Sequence, residues 1–446
     1  MKAWNFKVKS NPQEIGEKLN SALGSVGGFV FKIDTGIIDS VTFKVRKRSL
    51  NYLNFIRENQ IIVITTLAII LFILAGFVGC RKSDTNHLIT VDVTKSYPEK
   101  ELILQDFLDV EYIPLETNNE FVTQGVIMAI GNKYIIVKNG TNDGDIFVFD
   151  RKTGKALRKI NKMGKGPEEY SHLTYIVLDE QNNELFVDCI ISKKILVYDL
   201  FGNFKRSFNH AEDTEYVNVF NYDKDNLICY NELTLYKDGE NRGSEPCHVI
   251  ISKQDGSITR NITIPFDVFR TPFIQESHFT ASFSVSPIIP YHDNWLLVET
   301  SSDTVYNYVP QENKLNPFLV VKNPTRDPEI FLTMGALTDR YYFMKTLKKE
   351  IILPIMKIPA PTELMYDKQE NSMFTTAVFN GDYVKKQKVD MTSHPVNNEI
   401  AAFETLEAYQ LVEACKKDEL KGKLKEIAAG LNEGSNPVIM VMKYKK

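Results

Sequence analysis

The sequence predicts an all-β exported region, a six-bladed β-propeller with a C-terminal helical insertion. A transmembrane or signal segment and a small N-terminal β-α-β-β unit precede it. Three observations predict this. Units of similar strand-and-turn make-up recur between residues 134 and 380. Further strand-like stretches remain at both ends of that array, enough to close a ring. An uncharged apolar run, residues 61–80, divides a basic piece from an acidic one. Residues 1–60 hold 10 Lys+Arg and 5 Asp+Glu, whereas the rest of the 446-residue chain holds 43 and 52. With 43 % apolar and 25 % charged residues, wholesale disorder, collagen and a multi-span membrane protein are excluded. The acidic remainder has no basic footprint for nucleic acid.

Residues 1–59 come first. Residues 4–10 alternate apolar and polar like a short strand. Asn11-Pro12-Gln13-Glu14 offers a helix start, and Ile15, Leu19 and Leu23 form a stripe at i, i+4, i+8. Residues 29–34 and 41–47 alternate again around a turn near Thr35-Gly36. A core of this size is marginal, and it carries no catalytic constellation. It reads as a cytoplasmic accessory module or as a piece that is removed.

Residues 61–80 read IIVITTLAIILFILAGFVGC, in which only Thr65 and Thr66 are polar. About 20 apolar residues span a bilayer core of roughly 30 Å. Lys44, Arg46, Lys47, Arg48 and Arg57 precede the run, against Arg81 and Lys82 after it. The more basic side stays cytoplasmic, so the long acidic remainder crosses. Leu74-Ala75-Gly76-Phe77-Val78-Gly79-Cys80 sets a small residue directly before a Cys, as in a lipoprotein cleavage site, although Phe77 stands where Leu is usual. Two outcomes follow. Either Cys80 becomes a lipidated N-terminus, the favoured reading, or residues 60–80 stay as a single-pass anchor. The localisation expected is the cell envelope, with the propeller in the periplasm or at the cell surface.

The exported region, residues 86–446, is read from its repeats. The units are 134–139, 145–154 and 156–162; 184–190, 194–202 and 204–210; 226–230, 248–256 and 258–265; 295–300, 304–313 and 315–321; and 340–345, 363–371 and 373–380. Aligned turn positions fall at Asp150, Asp199, Ser252, Val309 and Asp367, in steps of 49, 53, 57 and 58. Residues 174–178, 217–221 and 286–290 add one more apolar stretch ahead of three of the units. Four short strands per 40–60 residues is the signature of a propeller blade. A lone four-stranded sheet leaves both faces bare, so blades stack radially. Residues 88–93 and 110–115 before the array, and 438–444 after it, supply the sixth blade and remove the open edges. Residues 398–431 are rich in helix formers, with a stripe that includes Leu406, Leu411, Leu420, Leu424 and Ile427. They predict one long or two short helices inserted in the last blade.

Cys189, Cys229 and Cys247 sit in or beside apolar strands, and no CxxC pair exists. They read as small buried hydrophobes, with a Cys229–Cys247 bridge as the oxidised alternative. The seven histidines form no HExxH, and there is no GxSxG elbow. Residues 139–144 hint at a calcium loop but read better as a hairpin turn. No metal and no cofactor are expected.

The exported region resembles the bacterial six-bladed β-propeller lipoproteins, the NHL-like propellers. The residues that carry the resemblance are Gly164-Lys165-Gly166-Pro167-Glu168-Glu169-Tyr170, the turns FVFDRKTGK (147–155) and LVYDLFGNF (196–204), Pro290-Tyr291-His292 to Trp295, and residues 337–343. It covers residues 86–446, and it implies no established reaction. The 164–170 loop reads as a structural interblade turn. A complete repeat scaffold without a recognisable catalytic set reads as a membrane-anchored, non-enzymatic ligand- or partner-binding protein; the resemblance implies a glycan or peptide as its ligand, and an outer-membrane protein is the partner expected. The alternatives are a hydrolase or lyase at the central channel and a single-pass sensor. The binding or catalytic candidates are Glu168, Glu169 and His292, with Tyr170 and Arg340 as positioners. A channel enzyme requires these side chains to converge.

Mass spectrometry of the mature protein from membranes checks the anchor. Loss of residues 1–79 with acyl mass on Cys80, both abolished by Cys80→Ser, is the expected outcome. An intact N-terminus identifies the single-pass form.

Overall fold

The computed structural model describes the backbone of residues 2–7, 30–37 and 40–46. It also describes residues 88–445, apart from 233–245, 277–278, 326, 353–356 and 393–395. The chain divides into two units, Met1–His87 and Leu88–Lys446. In the first, Lys2–Lys7, Ser40–Arg46 and Val30–Ile37 form an antiparallel sheet in that order. These are the three strands expected there. The helix expected over residues 11–23, the apolar run 61–80 and Cys80 lie outside the described residues. Among the described residues no helix is long and apolar enough to cross a membrane.

The second unit is the propeller. Blade 1 comprises Val126–Ile130, Tyr134–Lys138, Asp145–Asp150 and Ala156–Asn161. Blade 2 comprises Tyr175–Asp179, Glu184–Cys189, Lys194–Asp199 and Phe204–Asn209. Blade 3 comprises Tyr216–Asn221, Asn226–Asn231, His248–Ser252 and Ile258–Ile262. Blade 4 comprises Ile288–Tyr291, Asn294–Leu297, Thr304–Val309 and Lys314–Lys322. Blade 5 comprises Ile330–Leu337, Tyr341–Lys348, Thr362–Asp367 and Ser372–Asn380. All five are antiparallel meanders. The five turn positions aligned in the sequence are the last residues of the five third strands. The reason is local: Asp150 Oδ1 accepts from the backbone N–H of Lys152 and Thr153, Asp199 Oδ1 from Phe201 and Asn203, and Asp367 Oδ1 from Gln369 and Glu370. A short acceptor side chain closes the turn onto its own backbone.

Blade 6 joins both ends of the unit. Its sheet order is Ile400–Leu406, Val438–Tyr444, then Leu108–Pro114. Residues 400–406, expected as helix, are a strand. Their helix-forming composition yields to pairing with Val438–Tyr444, which buries Ile400, Ala401 and Ala402. Propensity is a weak prior against such tertiary burial. A short helix, α1 (Leu104–Phe107), precedes the N-terminal strand of this blade. Two more, α2 (Ala408–Lys416) and α3 (Gly422–Ala429), form the insertion.

Of the N-terminal strands expected in the sixth blade, only Leu108–Pro114 joins it; residues 88–93 do not, because the open outer edge of blade 4 takes Ile89–Asp92. Ile89–Asp92 pairs parallel with the outer strand of blade 4, and Glu99–Ile103 pairs parallel with the outer strand of blade 5. Only then does Leu108–Pro114 enter blade 6. One segment thus covers three successive outer edges, which are otherwise open to other chains.

Six apolar clusters account for the stacking. Ile136 and Val148 of blade 1 meet Ile176, Leu185 and Leu196 of blade 2. Val177, Phe186 and Val197 of blade 2 meet Leu227, Val249 and Ile251 of blade 3. Ile228 and Ile250 meet Trp295 and Leu297 of blade 4. Leu296 and Val305 meet Leu332 and Met344 of blade 5. Phe343 and Met365 share a cluster with Val438 and Met440 of blade 6, and with Leu411 and Leu424 of the helices. Ile439 and Val441 meet Ile135, Val137 and Phe147 of blade 1, completing the circle. Alternate residues of one strand face opposite neighbours, as the two-residue period requires. That is why the inner strands are apolar throughout.

Gly154 shows how tightly the ring closes. Its φ is +70°, and a Cβ there would meet the Pro114 carbonyl oxygen at 2.0 Å. Its own carbonyl accepts from Glu116 N at 2.8 Å. Gly154→Ala is expected to cost about 2 kcal/mol or more, from backbone strain together with the clash. Denaturant unfolding measures it.

Candidate functional site

In a meander, successive turns fall on alternate ends of the blade. The turns joining first to second and third to fourth strands therefore share one end of the ring, here the turn end. The connections between blades occupy the other, the crossover end. In blade 6, Val396 N donates to Ile400 O before the first strand, and Thr405 at its far end donates to Gly125 O beside the start of blade 1. Residues 396–400 thus lie at the turn end, and the α2–α3 insertion at the crossover end.

This separates the five candidates. Glu168, Glu169 and Tyr170 lie in the connection from blade 1 to blade 2, at the crossover end. His292 and Arg340 lie in the first turns of blades 4 and 5, at the turn end. The convergence a channel enzyme requires does not occur.

The 164–170 loop is held as a structural turn. Tyr170 is fully buried; its hydroxyl donates to Gly144 O at 2.7 Å and accepts from Lys162 N at 2.9 Å. Burial pushes its phenol well above the usual value. Glu169 Oε2 accepts from Gly166 N at 2.8 Å, closing the loop on itself. The backbone carbonyls of Glu168 and Pro167 accept from Tyr198 Oη and Lys194 Nζ of blade 2. Arg340 is also engaged in packing. Its Nε and Nη2 grip the buried Asp367 carboxylate, at 3.1 and 2.8 Å, beside Lys100 Nζ at 2.9 Å. Burial acts to raise the Asp367 pKa. The Arg340 and Lys100 hydrogen bonds outweigh it and hold the carboxyl well below the usual range. Lys100 belongs to the N-terminal edge segment, so this trio fastens that segment to blade 5.

His292 lines a cavity. The cavity has a volume of about 750 Å³ and opens at the turn end between blades 3 and 4. Blade 3 contributes Tyr222, Asp223 and Asn226 from its first turn, and Thr259 and Arg260 from its outer strand. Blade 4 contributes His292, Asp293, Asn294 and Trp295, with Gln311 from its second turn. Tyr222 and Trp295 stack, with centroids 5.9 Å apart and planes 25° apart, and give one wall its apolar character. Asn398 of blade 6 reaches across and donates to Asp293 Oδ1 at 3.0 Å. The two-residue turn between Tyr291 and Asn294 places His292 at φ +52°, a left-handed conformation that few non-glycine residues adopt.

Tyr222, Asn226, Arg260, Asn294, Gln311 and Asn398 were not expected as site residues. They come from three blades and share no local motif. Comparison of the first turns, NYDKDN at 221–226 and YHDNW at 291–295, is the one signal that could have found part of the set.

The other sequence motifs resolve simply. Cys229 packs between blades 2 and 3, while Cys247 packs between blades 3 and 4. No disulfide joins these two interfaces, which corrects the bridge alternative. In the 139–144 loop, Asp143 accepts from the Asn139 amide at 2.6 Å and from Asp145 N at 3.1 Å, as a self-capped hairpin. Among the described residues, no group of three or more His, Cys, Asp or Glu could hold a metal ion.

A family model described as 6-bladed beta-propeller, DUF5128, matches residues 80–402. No curated protein matches the chain. Among solved structures, the chain is similar to a protein of Bacteroides fragilis described as exported. Identity is 16 % over 78 % of this chain and 99 % of that one, with a TM-score of 0.50. It is also similar to a member of the duf4221 family from Bacteroides vulgatus, at 8 % identity over 77 % and 99 %, with a TM-score of 0.42. A virginiamycin B lyase from Staphylococcus aureus matches at 15 % identity over 50 % of this chain and 62 % of that one, with a TM-score of 0.30. The first likeness bears on the fold alone, and the other two carry no argument.

The reading of the 164–170 loop is checked by stability. Tyr170→Phe removes the hydroxyl from two buried backbone partners and is expected to cost about 1–3 kcal/mol. Glu168→Ala, at an exposed side chain, is expected to stay within about 0.5 kcal/mol of the parent. Thermal or denaturant unfolding of both variants measures the contrast.

Proposed function

The chain belongs to this family of six-bladed β-propellers, and from that premise we propose that it is a membrane-anchored, extracytoplasmic binding protein. It holds a glycan or peptide in the cavity at the turn end between blades 3 and 4. The observation that carries the reading is that cavity: a concave site with an aromatic wall and several polar groups from different turns, the usual make-up of a ligand pocket. The left-handed backbone at His292 supports it, since such conformations gather at functional sites. Asn398 supports it too, by tying the blade 6 turn to the cavity rim. Anchoring rests on the uncharged run at 61–80 and on Cys80, and export rests on the charge asymmetry around them. An outer-membrane partner protein belongs to the same reading, as a neighbour on the crossover end. The hydrolase or lyase reading loses its motive, because its acids and bases lie at opposite ends of the ring. The sensor reading stands or falls with the intact N-terminus.

Glycan and peptide arrays probed with the full-length protein in detergent test the site. Asn294→Ala and His292→Ala are expected to weaken any array hit at least tenfold, while Glu168→Ala at the other end leaves it unchanged. Equal loss in all three variants, or no hit in either array, removes the proposal.

A further inference from the structure

We infer that the ligand of this cavity carries a carboxylate, as a uronic-acid-containing saccharide does, and that Arg260 selects it. The inference deepens the binding reading above and rests on it.

Arg260 lies on the outer strand of blade 3, half-buried, and lines the cavity. Its Nη1 donates to Tyr308 Oη of blade 4 at 2.7 Å, and Tyr308 in turn donates to Asn313 Oδ1 at 3.0 Å. This chain orients the guanidinium without neutralising it. Among the described residues no carboxylate comes within ion-pair distance of Arg260. Among the other described arginines, Arg151, Arg206, Arg270 and Arg340 each hold a carboxylate at 3.2 Å or less, and Arg158 lies over the rings of Tyr134 and Phe201 instead. The Asp223 carboxylate on the same rim acts on the guanidinium through space, without an ion-pair contact. A guanidinium has five donors in a planar fork, matched to carboxylate geometry, and one bond to Tyr308 leaves donors for a ligand.

The rest of the rim limits what the ligand can be. Asp223 already accepts from the backbone N–H of Asp225 and Asn226 and from the Asn226 amide. Asp293 accepts from Asn398. With its backbone bonds Asp223 closes its turn, and two carboxylates line the cavity with one guanidinium. A polyanion is repelled by that balance. A ligand with one carboxylate set against Arg260 and hydroxyls elsewhere is not. The amides of Asn294 and Gln311 both donate and accept, as hydroxyl recognition requires. A saccharide satisfies both conditions at once, and the Tyr222–Trp295 wall suits the apolar face of a sugar ring.

The experiment is calorimetric titration of the full-length protein in detergent with a panel of uronate disaccharides, each beside its neutral counterpart, and with a short peptide bearing a free C-terminal carboxylate. The expected result is a uronate that binds about tenfold more tightly than its neutral counterpart. Arg260→Met is expected to bring that preference below twofold, and Arg260→Lys to retain part of it. Circular dichroism and the thermal midpoint verify that both variants are folded. Equal affinity for charged and neutral sugars, or a preference that survives Arg260→Met, overturns the inference and leaves the binding reading standing. Binding of the peptide with no sugar bound overturns the saccharide class. Binding of nothing in the panel overturns both.

Discussion

Leu108–Pro114 pairs along its whole length with Val438–Tyr444, from Pro114 opposite Val438 to Leu108 opposite Tyr444. Every blade depends on that pairing. A blade is apolar on both faces, so it is stable only between two neighbours. With the ring open, blade 1 and blade 6 would each expose a face. Closure brings Ile439 and Val441 against Ile135, Val137 and Phe147, and all six interfaces then have the same character. The closure spans most of the sequence, so its entropy is recovered only when the last interface forms. The buried packing around Gly154 and Pro114 belongs to the same joint.

Charge reinforces the apolar stacking at the turn end. Lys253, one residue past the third strand of blade 3, reaches the buried Asp179 of blade 2 at 2.6 Å. Arg151, at the equivalent place in blade 1, reaches Glu111 of blade 6 at 3.2 Å. Lys100 and Arg340 converge on Asp367 and bind the N-terminal edge segment to blade 5. Arg260 is held differently: its hydrogen bond is to Tyr308, and it lines the cavity.

Much of the fold was legible because it is local. In four of the five third-strand turns an Asp or Ser caps its own backbone, Val309 of blade 4 being the exception, and a strand buried on both faces is apolar along its length. The sixth blade was legible from the leftover strands at the two ends. Two things were not. Residues 400–406 have helix-forming composition, and pairing with Val438–Tyr444 decides their state. The edge strands at residues 89–92 and 99–103 gain their positions from the outer strands of blades 4 and 5, which lie more than 200 residues away in the chain.

For the site, the sequence by itself determined that its five candidate residues sit in turns and interblade connections. It singled out His292, which does line the cavity, and Glu168, Glu169, Tyr170 and Arg340, which do not. It did not assign every end. Whether a turn faces one mouth of the ring or the other depends on counting strands from the first strand, which residue patterns mark in blades 2, 3 and 4 but not in blades 1 and 5. Only the tertiary structure decided that Tyr170 and Arg340 serve packing, and that Tyr222, Arg260 and Asn398 share one rim. The physical reason is that neighbours across a blade interface are set by the stacking of whole sheets, and no spacing within one strand or turn encodes that.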